Sequence, residues 1–151
     1  MGGERSMATT NAEAAFIDTN VLLDATDRAR AGHGPALRLL ERRSKLVFSA
    51  QIVREYLVVA TRPIEANGLG LALEPAMDNV AEFRHAIRLL PEEKPLLPAL
   101  LELLREAPVQ GKAIHDALVV ATMRVHRISE LVTFNAADFA RFSAMVRVTS
   151  P

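Results

Sequence analysis

Three acidic residues stand in apolar surroundings, where an ionised side chain is costly unless a partner compensates its charge. Asp18 directly follows a short apolar run, Glu55 lies inside a strongly apolar helical pattern, and Asp116 lies near the start of another. Two carboxylates about 4 Å apart repel each other by about 4 kcal/mol at an effective dielectric constant of about 20. A hard divalent cation removes that repulsion and prefers oxygen ligands. The three residues therefore predict a site for Mg²⁺ or Mn²⁺.

A fourth polar position follows the apolar segment 131–134. Asn135 comes directly after that segment, and Asp138 lies one helical turn further on. Either residue is a candidate to complete the acidic group. The pair also has the spacing of a helix-capping box, which explains both residues without any catalysis.

Each of the other acidic residues also has a structural explanation. Asp18 or Asn20 caps the helix that follows, and the dipole of its helix stabilises Asp116. In the structural alternative, Glu55 pairs with Arg54, Arg62 or another basic neighbour on an exposed face. For any one residue the structural role is the commoner one. Three acids in apolar segments of one chain nevertheless favour a shared cation site.

Strand-like and helix-like segments alternate along the chain, which is typical of an α/β fold. The predicted strands are 14–17, 45–48, 86–90, 131–134 and 146–149, and the predicted helices are 19–30, one that begins at Pro35, 50–61, 75–85, 96–106, 112–127 and 136–142. Residues 63–75 are predicted to form an irregular loop, long enough to be a flap or a partner-binding segment. We expect a three-layer α/β/α sandwich on a mostly parallel sheet. In such sheets ligands usually bind at the carboxyl edge, where Asp18 is placed.

The composition is that of a globular protein without thiol chemistry. Its 151 residues are half hydrophobic and include no cysteine, and they contain no apolar run of membrane-spanning length. Disulfides, a thiolate nucleophile and cysteine-bound zinc are therefore excluded. We expect a single domain at 14–151 after a disordered segment at 1–13, which lacks the apolar core of a signal peptide. The expected location is the cytoplasm, with no membrane association.

Basic and acidic residues balance, with 18 of each, so no global positive charge indicates a nucleic-acid partner. Balance does not exclude one, because an acidic cluster can cancel a basic rim. Basic residues do gather locally, at Arg38, Arg42, Arg43 and Lys45, at Arg84 and Arg88, and at Arg124 and Arg127. Each group is either solvated helix surface or a phosphate-binding site, and solvated surface is the commoner case.

Four short motifs carry the polar positions described above. They are Phe16-Ile17-Asp18-Thr19-Asn20, Val53-Arg54-Glu55-Tyr56, His115-Asp116-Ala117 followed by Ala121-Thr122, and Leu131-Val132-Thr133-Phe134-Asn135 followed by Asp138-Phe139. In order and spacing they resemble the motifs of the PIN domain, and more narrowly those of the VapC-type toxin ribonucleases of bacterial toxin–antitoxin pairs. The resemblance covers residues 14–149. Each motif is common by itself, whereas four in register are considerably more specific.

The resemblance implies a metal-dependent endoribonuclease that hydrolyses RNA phosphodiester bonds. By position, Asp18, Glu55 and Asp116 would be the carboxylates that bind Mg²⁺ or Mn²⁺. Asn20 and Thr133 would stand beside them as neutral hydrogen-bonding groups. The resemblance also implies a homodimer and a cognate antitoxin whose tail occupies the active-site groove.

The chain departs from the family pattern at the fourth acidic place. Many relatives carry an acid directly after the last core strand, where this chain has Asn135. Asp138 substitutes for that acid, or Asn135 binds a metal-bound water.

The alternative function is a catalytically weak or inactive PIN fold that binds RNA or protein. Metal-dependent cleavage of RNA distinguishes the ribonuclease from this binding module.

Overall fold

A five-stranded sheet forms the centre of residues 13–151, the part of the chain that the computed structural model describes. The strands are β1 (Ala15–Ile17), β2 (Leu46–Phe48), β3 (Ile87–Leu89), β4 (Glu130–Val132) and β5 (Arg147–Thr149). Their order is β3-β2-β1-β4-β5, and every pair of neighbours is parallel. The predicted α/β fold with a mostly parallel sheet is therefore confirmed.

Helices cover the sheet on both faces. They are α1 (Thr19–Thr26), α2 (His33–Arg42), α3 (Ala50–Thr61), α4 (Leu73–Ala86), α5 (Leu96–Glu106) and α6 (Ala113–Val125), with 3₁₀ helices at Ile64–Ala66 and Ala136–Phe142. The chain runs outward from β1 to β3 and then returns to β4 on the other side of β1. Right-handed crossovers in these two directions place helices on opposite faces, which gives the expected three layers. No helix within residues 13–151 is long and apolar enough to cross a bilayer.

The central strands β1, β2 and β4 are buried along their whole length, whereas the edge strands β3 and β5 expose residues. This is the pattern of a parallel sheet covered on both faces. The largest fully buried side chains include Phe16, Phe48, Ile52, Tyr56 and Phe139. This core fixes the carboxyl ends of β1 and β4 side by side.

The ends of the first two helices differ from the prediction. The first helix ends at Thr26 rather than at residue 30, because the chain turns at Asp27, whose side chain accepts a 3.0 Å hydrogen bond from the backbone N of Ala29. The second helix begins at His33 and places Pro35 inside its first turn. A proline is tolerated there because the first N–H groups of a helix have no intrahelical partner.

The predicted loop at 63–75 is shorter than expected because α4 begins at Leu73. Its backbone folds back on the end of α3, where the N–H of Leu69 donates to the carbonyl of Val59 at 3.1 Å. A Cβ atom at Gly68 would lie 1.9 Å from the carbonyl oxygen at the end of α3, so the close approach requires glycine. The segment packs on the carboxyl end of α3, and its role as a flap or partner-binding segment stays a prediction.

Strand β4 is displaced towards the amino end from its predicted range of 131–134. It begins at Glu130, and the chain leaves the strand at Thr133 because the N–H of Phe134 donates to the side chain of Asn20. The remaining elements begin and end within a residue or two of their predicted bounds. The predicted disordered segment 1–13 lies, apart from Glu13, outside the described residues, and the single-domain boundaries stay predictions.

Candidate active site

Asp18 is the first residue beyond β1, at the carboxyl edge of the sheet, and it is half-buried. Its Oδ1 caps α1 by accepting a 2.8 Å hydrogen bond from the backbone N of Thr19. Its Oδ2 accepts from Thr133 Oγ1 at 2.8 Å and from Asn20 Nδ2 at 3.1 Å. Burial raises the pKa of Asp18, and the charge of Glu55 raises it further, while the hydrogen bonds oppose the shift. The predicted capping role and a carboxylate at the sheet edge therefore coexist in one residue.

Asn20 and Thr133 form a neutral hydrogen-bonded frame beside Asp18, in the position predicted for them. Thr133 Oγ1 accepts from Asn20 Nδ2 at 2.9 Å and from the backbone N of Asn135 at 3.0 Å. Asn20 Oδ1 accepts from the backbone N of Phe134 at 2.9 Å. Thr133 is only 1% exposed. The frame thus joins the start of α1 to the chain that leaves β4.

Glu55 lies half-buried on α3, and neutral groups bind both of its oxygens. Thr19 Oγ1 donates to Oε2 at 2.9 Å, and Gln51 Nε2 donates to Oε1 at 3.1 Å. The same Gln51 nitrogen donates to the backbone oxygen of His115 at 2.9 Å, at the start of α6. The alternative ion pair with Arg54 or another basic neighbour is not among those identified within residues 13–151.

Tyr56 fixes the helix that carries Glu55. Its fully buried hydroxyl lies 2.8 Å from Thr26 Oγ1, at the end of α1, and accepts from Asn79 Nδ2 at 3.1 Å, on α4. Its ring meets the ring of Phe83 edge to face, with centroids 5.2 Å apart. These contacts hold α3 between α1 and α4, next to the end of β1.

Asp116 lies half-buried in the first turn of α6, where the helix dipole favours a negative charge. Its pKa is nevertheless raised to about 6. Burial is the main cause, followed by the charges of Asp138, Asp18 and Glu55, while the charge of His115 acts in the opposite direction. The carboxylates predicted from separate motifs are therefore close enough to interact electrostatically.

Asn135 and Asp138 are both exposed, at the start of the 3₁₀ helix Ala136–Phe142. Asn135 makes no side-chain capping bond, and the backbone N of Asp138 donates to the backbone oxygen of Asn135 instead. The side-chain bond of a capping box from Asn135 is therefore not formed. After burial, the charge of Asp138 has the largest effect on the pKa of Asp116.

The four motifs thus lie along one edge of a parallel sheet of order β3-β2-β1-β4-β5. A family model described as the PIN domain matches residues 15–144. The chain belongs to the PIN domain family. This PIN domain is 31% identical over 141 residues to the protein named ribonuclease VapC48 of Mycobacterium tuberculosis, across 89% of this chain and 95% of that protein. The resemblance drawn from the motifs is confirmed.

Solved structures with the same fold include a toxin and a toxin–antitoxin complex. The PIN domain resembles VapC20 of Mycobacterium tuberculosis, described as a sarcin–ricin loop cleaving toxin, with a TM-score of 0.66, 19% identity, and coverage of 91% of this chain and 100% of that one. It also resembles a toxin–antitoxin complex from Klebsiella pneumoniae, with a TM-score of 0.59, 21% identity, and coverage of 84% and 91%. At these identities the likeness establishes the fold.

Asp18, Glu55 and Asp116, at the carboxyl edge of the sheet, have the charge and the ligand chemistry that suit a hard divalent ion. Their carboxylates supply only oxygen ligands, which Mg²⁺ and Mn²⁺ prefer. None of the ion pairs identified among residues 13–151 neutralises Asp18, Glu55 or Asp116. In the same part of the chain, no three carboxylate or imidazole side chains are grouped closely enough to hold a metal ion as they stand. The carboxylates are coupled through their charges rather than assembled as a complete coordination shell.

Three of the locally clustered basic residues form ion pairs within the PIN domain. They are Arg43 with Glu130, Lys45 with Glu13, and Arg124 with Glu106. These pairs give the three residues a structural role. The basic clusters seen in the sequence therefore do not by themselves mark a surface for phosphate groups.

Two residues that hold Glu55 are absent from the predicted site. Thr19 directly follows Asp18, and Gln51 precedes Glu55 by one helical turn, a spacing at which helical side chains meet. A polar residue one turn before a buried acid, in an otherwise apolar helix, is the signal that identifies Gln51. The contact of Thr19 depends on the packing of α1 against α3 and has no such local signal.

Proposed function

We propose that this PIN domain is a divalent-metal-dependent endoribonuclease that hydrolyses RNA phosphodiester bonds and is the toxin of a VapBC-type toxin–antitoxin pair. The observation that carries the proposal is the convergence of Asp18, Glu55 and the start of α6 at the carboxyl edge of the sheet, where Thr19 and Gln51 link Glu55 to the residues beside Asp18 and Asp116. Besides burial, the charges of Asp18 and Glu55 also raise the pKa of Asp116. The relative named as a ribonuclease, 31% identical along most of the chain, supports the same activity. The family resemblance of the motifs points to it independently.

Asp18, Glu55 and Asp116 would hold the Mg²⁺ or Mn²⁺ ion. When bound, such an ion would supply Lewis-acid chemistry, polarising a phosphoryl oxygen and lowering the pKa of a water molecule for in-line attack on phosphorus. The three carboxylates repel one another when all are ionised, and the raised pKa of Asp116 expresses that repulsion together with its burial. A cation is the partner that makes the fully ionised set favourable.

The rest of the site orients these carboxylates. Thr133 donates to Asp18 Oδ2, and Thr19 donates to Glu55 Oε2, so each carboxylate has an oxygen held by a hydroxyl group. Because hydroxyl groups are neutral, they orient the carboxylates without cancelling the charge that a cation requires. Burial and the neighbouring carboxylates raise the pKa of Asp116 to about 6, so ionised Asp116, the form that would bind a cation, is favoured above that pH.

Asp138 rather than Asn135 would complete the acidic group. The charge of Asp138 acts on Asp116 more strongly than the charges of Asp18 and Glu55 do. Asn135 contributes its backbone N–H to Thr133, and its side chain carries no charge. The carboxylate of Asp138 is exposed in the first turn of the 3₁₀ helix and would be free to bind a cation.

A cognate antitoxin and a second copy of the chain would be the protein partners. The solved toxin–antitoxin complex with the same fold supports an antitoxin partner. Large apolar residues are exposed on α4, α5 and α6, and they would be available for contacts with a protein partner. They include Leu73, Leu97, Leu101 and Ile114. RNA is the proposed substrate, and the cytoplasm, where RNA is abundant, is the proposed location.

The test is cleavage of a pool of structured RNAs by the purified protein with Mg²⁺, with Mn²⁺ and with EDTA. We expect cutting with either metal and none with EDTA. The replacement of the family's acid by Asn135 favours the alternative, an inactive PIN fold that binds RNA or protein. A folded protein that binds RNA but leaves it intact with both metals would establish that alternative.

A further inference from the structure

Gln51 connects Glu55 to the helix that carries Asp116. Its Nε2 donates to Glu55 Oε1 at 3.1 Å and to the backbone oxygen of His115 at 2.9 Å. We propose that Gln51 is a positioning residue that orients the Glu55 carboxylate and ties the amino end of α6 to α3. The inference rests on the proposed ribonuclease function, because it assigns Gln51 a task in that site.

The amide group of Gln51 is better suited to this task than to stabilising the fold. Gln51 is 7% exposed, and its Oε1 accepts no hydrogen bond within the described residues. A buried carbonyl without a donor disfavours the folded state. Methionine or leucine would fill the same place with a comparable helix propensity and without an unpaired carbonyl, although Glu55 Oε1 and the backbone oxygen of His115 would each lose a donor. Residues that break a local rule of stability are expected at functional sites.

The two oxygens of Glu55 depend on different donors. Thr19 holds Oε2, and Gln51 holds Oε1. Without Gln51, the carboxylate keeps one donor and turns more freely about its last torsion, which is broad for glutamate. The amino end of α6, where Asp116 lies, also loses a link to α3. Loss of a group that orients a metal ligand typically lowers metal affinity or activity by about 10- to 100-fold.

The experiment compares the wild-type protein with Gln51→Met and with a matched control, Thr122→Val. Thr122 is also buried, but its hydroxyl donates to the backbone oxygen of Leu118 within its own helix. Three quantities are measured, namely kcat and KM for RNA cleavage, the affinity for Mn²⁺ alone by electron paramagnetic resonance, and the melting temperature. Gln51→Leu is the second variant, in case methionine prevents folding.

We expect Gln51→Met to lower kcat or Mn²⁺ affinity by about 10- to 100-fold, with KM changed by less than about twofold. Its melting temperature should stay within about 3 °C of the wild type or rise. Thr122→Val should leave kcat and Mn²⁺ affinity unchanged. Unchanged kcat and Mn²⁺ affinity in Gln51→Met would overturn the positioning role, as would loss of folding in both Gln51 variants.

The outcomes also separate this inference from the proposed function. If the wild type cleaves RNA and Gln51→Met equals it in both kcat and Mn²⁺ affinity, the positioning role fails and the ribonuclease proposal stands. If the wild type binds Mn²⁺ without cutting RNA, a weaker affinity in Gln51→Met still supports the positioning role. If the wild type neither binds Mn²⁺ nor cuts RNA, the proposed function fails and this inference fails with it.

Discussion

The hydroxyl of Thr133 donates a 2.8 Å hydrogen bond to Oδ2 of Asp18. The register of the sheet brings these two residues together, because Ile17 of β1 pairs with Val132 of β4 and each residue comes directly after its strand. The bond therefore links the carboxyl ends of the two central strands through a side chain of the site. It also fixes the oxygen of Asp18 that does not cap α1.

Thr133→Val should weaken both the site and the fold. Valine has the shape of threonine but cannot donate to Asp18 or accept from Asn20 and the backbone N of Asn135. Leaving these buried groups unpaired should lower the free energy of unfolding by about 1–3 kcal/mol, and the loss of orientation should lower kcat by about 10- to 100-fold. Urea unfolding and RNA cleavage measure the two effects. An unchanged kcat in a folded variant would show that Thr133 does not orient Asp18.

Binding of Mn²⁺ should release a proton near pH 6. Burial and neighbouring carboxylates raise the pKa of Asp116 to about 6, so a cation that needs the ionised group displaces a proton there. By the same shift, Asp116 favours the folded state most below its unfolded pKa of 3.8, and this contribution is lost as the pH rises through about 6. Calorimetry in buffers with different ionisation enthalpies should detect more protons released at about pH 6 than at about pH 8. Equal release at both pH values would contradict the raised pKa.

Asp138→Asn and Asn135→Ala should differ in their effect on Asp116. Removing the charge of Asp138 removes the largest charge effect on Asp116, so the pKa of Asp116 should fall and Mn²⁺ should bind less tightly. Asn135→Ala keeps the backbone N–H that donates to Thr133 and removes no charge, so the pKa of Asp116 and the affinity for Mn²⁺ should hardly change. Carbon-detected NMR of the aspartate carboxyl groups measures the pKa, and Mn²⁺ titration measures the affinity. The reverse order of effects would assign the fourth place to Asn135.

Glu130→Gln should destabilise the fold without touching the site. Glu130 is buried and bound by Arg43, by Arg147 at 3.2 Å and by Thr149 at 2.8 Å. Hydrogen bonds from Arg43 chiefly lower its pKa to about 2, while burial acts in the opposite direction. Removing the charge of Glu130 should lower the free energy of unfolding by about 3 kcal/mol at neutral pH, the lower end of the range for a buried ion pair, because Arg43 is 35% exposed. Because the folded pKa is depressed, the stabilisation is complete above the unfolded pKa of 4.5 and is lost as the pH falls towards about 2.

Urea unfolding of the wild type and Glu130→Gln over that pH range measures the predicted loss. The two proteins should become more alike as the pH falls. Cleavage by the folded variant should equal that of the wild type, since Glu130 lies at the amino end of β4, away from the carboxyl edge. A large loss of cleavage in a folded Glu130→Gln protein would contradict the separation of this acid from the site.

Much of the site follows from local sequence patterns. Alternating strands and helices place Asp18 and Asn135 at the carboxyl edge of a parallel sheet, because each follows an apolar strand-like run. The rule that an acid in an apolar segment needs a compensating partner selects Glu55 and Asp116. The same rule applies to Glu130, where the partner is Arg43, so burial of an acid alone does not identify a metal site.

Other features depend on packing between distant parts of the chain. Gln51 meets His115 across 64 residues, and Thr19 meets Glu55 across 36. No local pattern contains these contacts, because they arise when α3 packs against α1 and α6. The end of α1 was also not predictable from composition, which favours a longer helix. The turn at Asp27 ends the helix at Thr26.

The central claim is that Asp18 belongs to a metal-dependent nuclease site, and single-turnover RNA cleavage with Mn²⁺ tests it most directly. The variants are Asp18→Asn, which changes the residue that caps α1, and the matched control Asp24→Asn, which changes an acid within α1 that pairs with Arg30 at 3.1 Å. Loss of a metal ligand should slow cleavage in Asp18→Asn by more than the roughly 100-fold that loss of a ligand-orienting group can cause, while the control should cut at the wild-type rate. Equal cleavage by wild type and a folded Asp18→Asn protein would contradict the account.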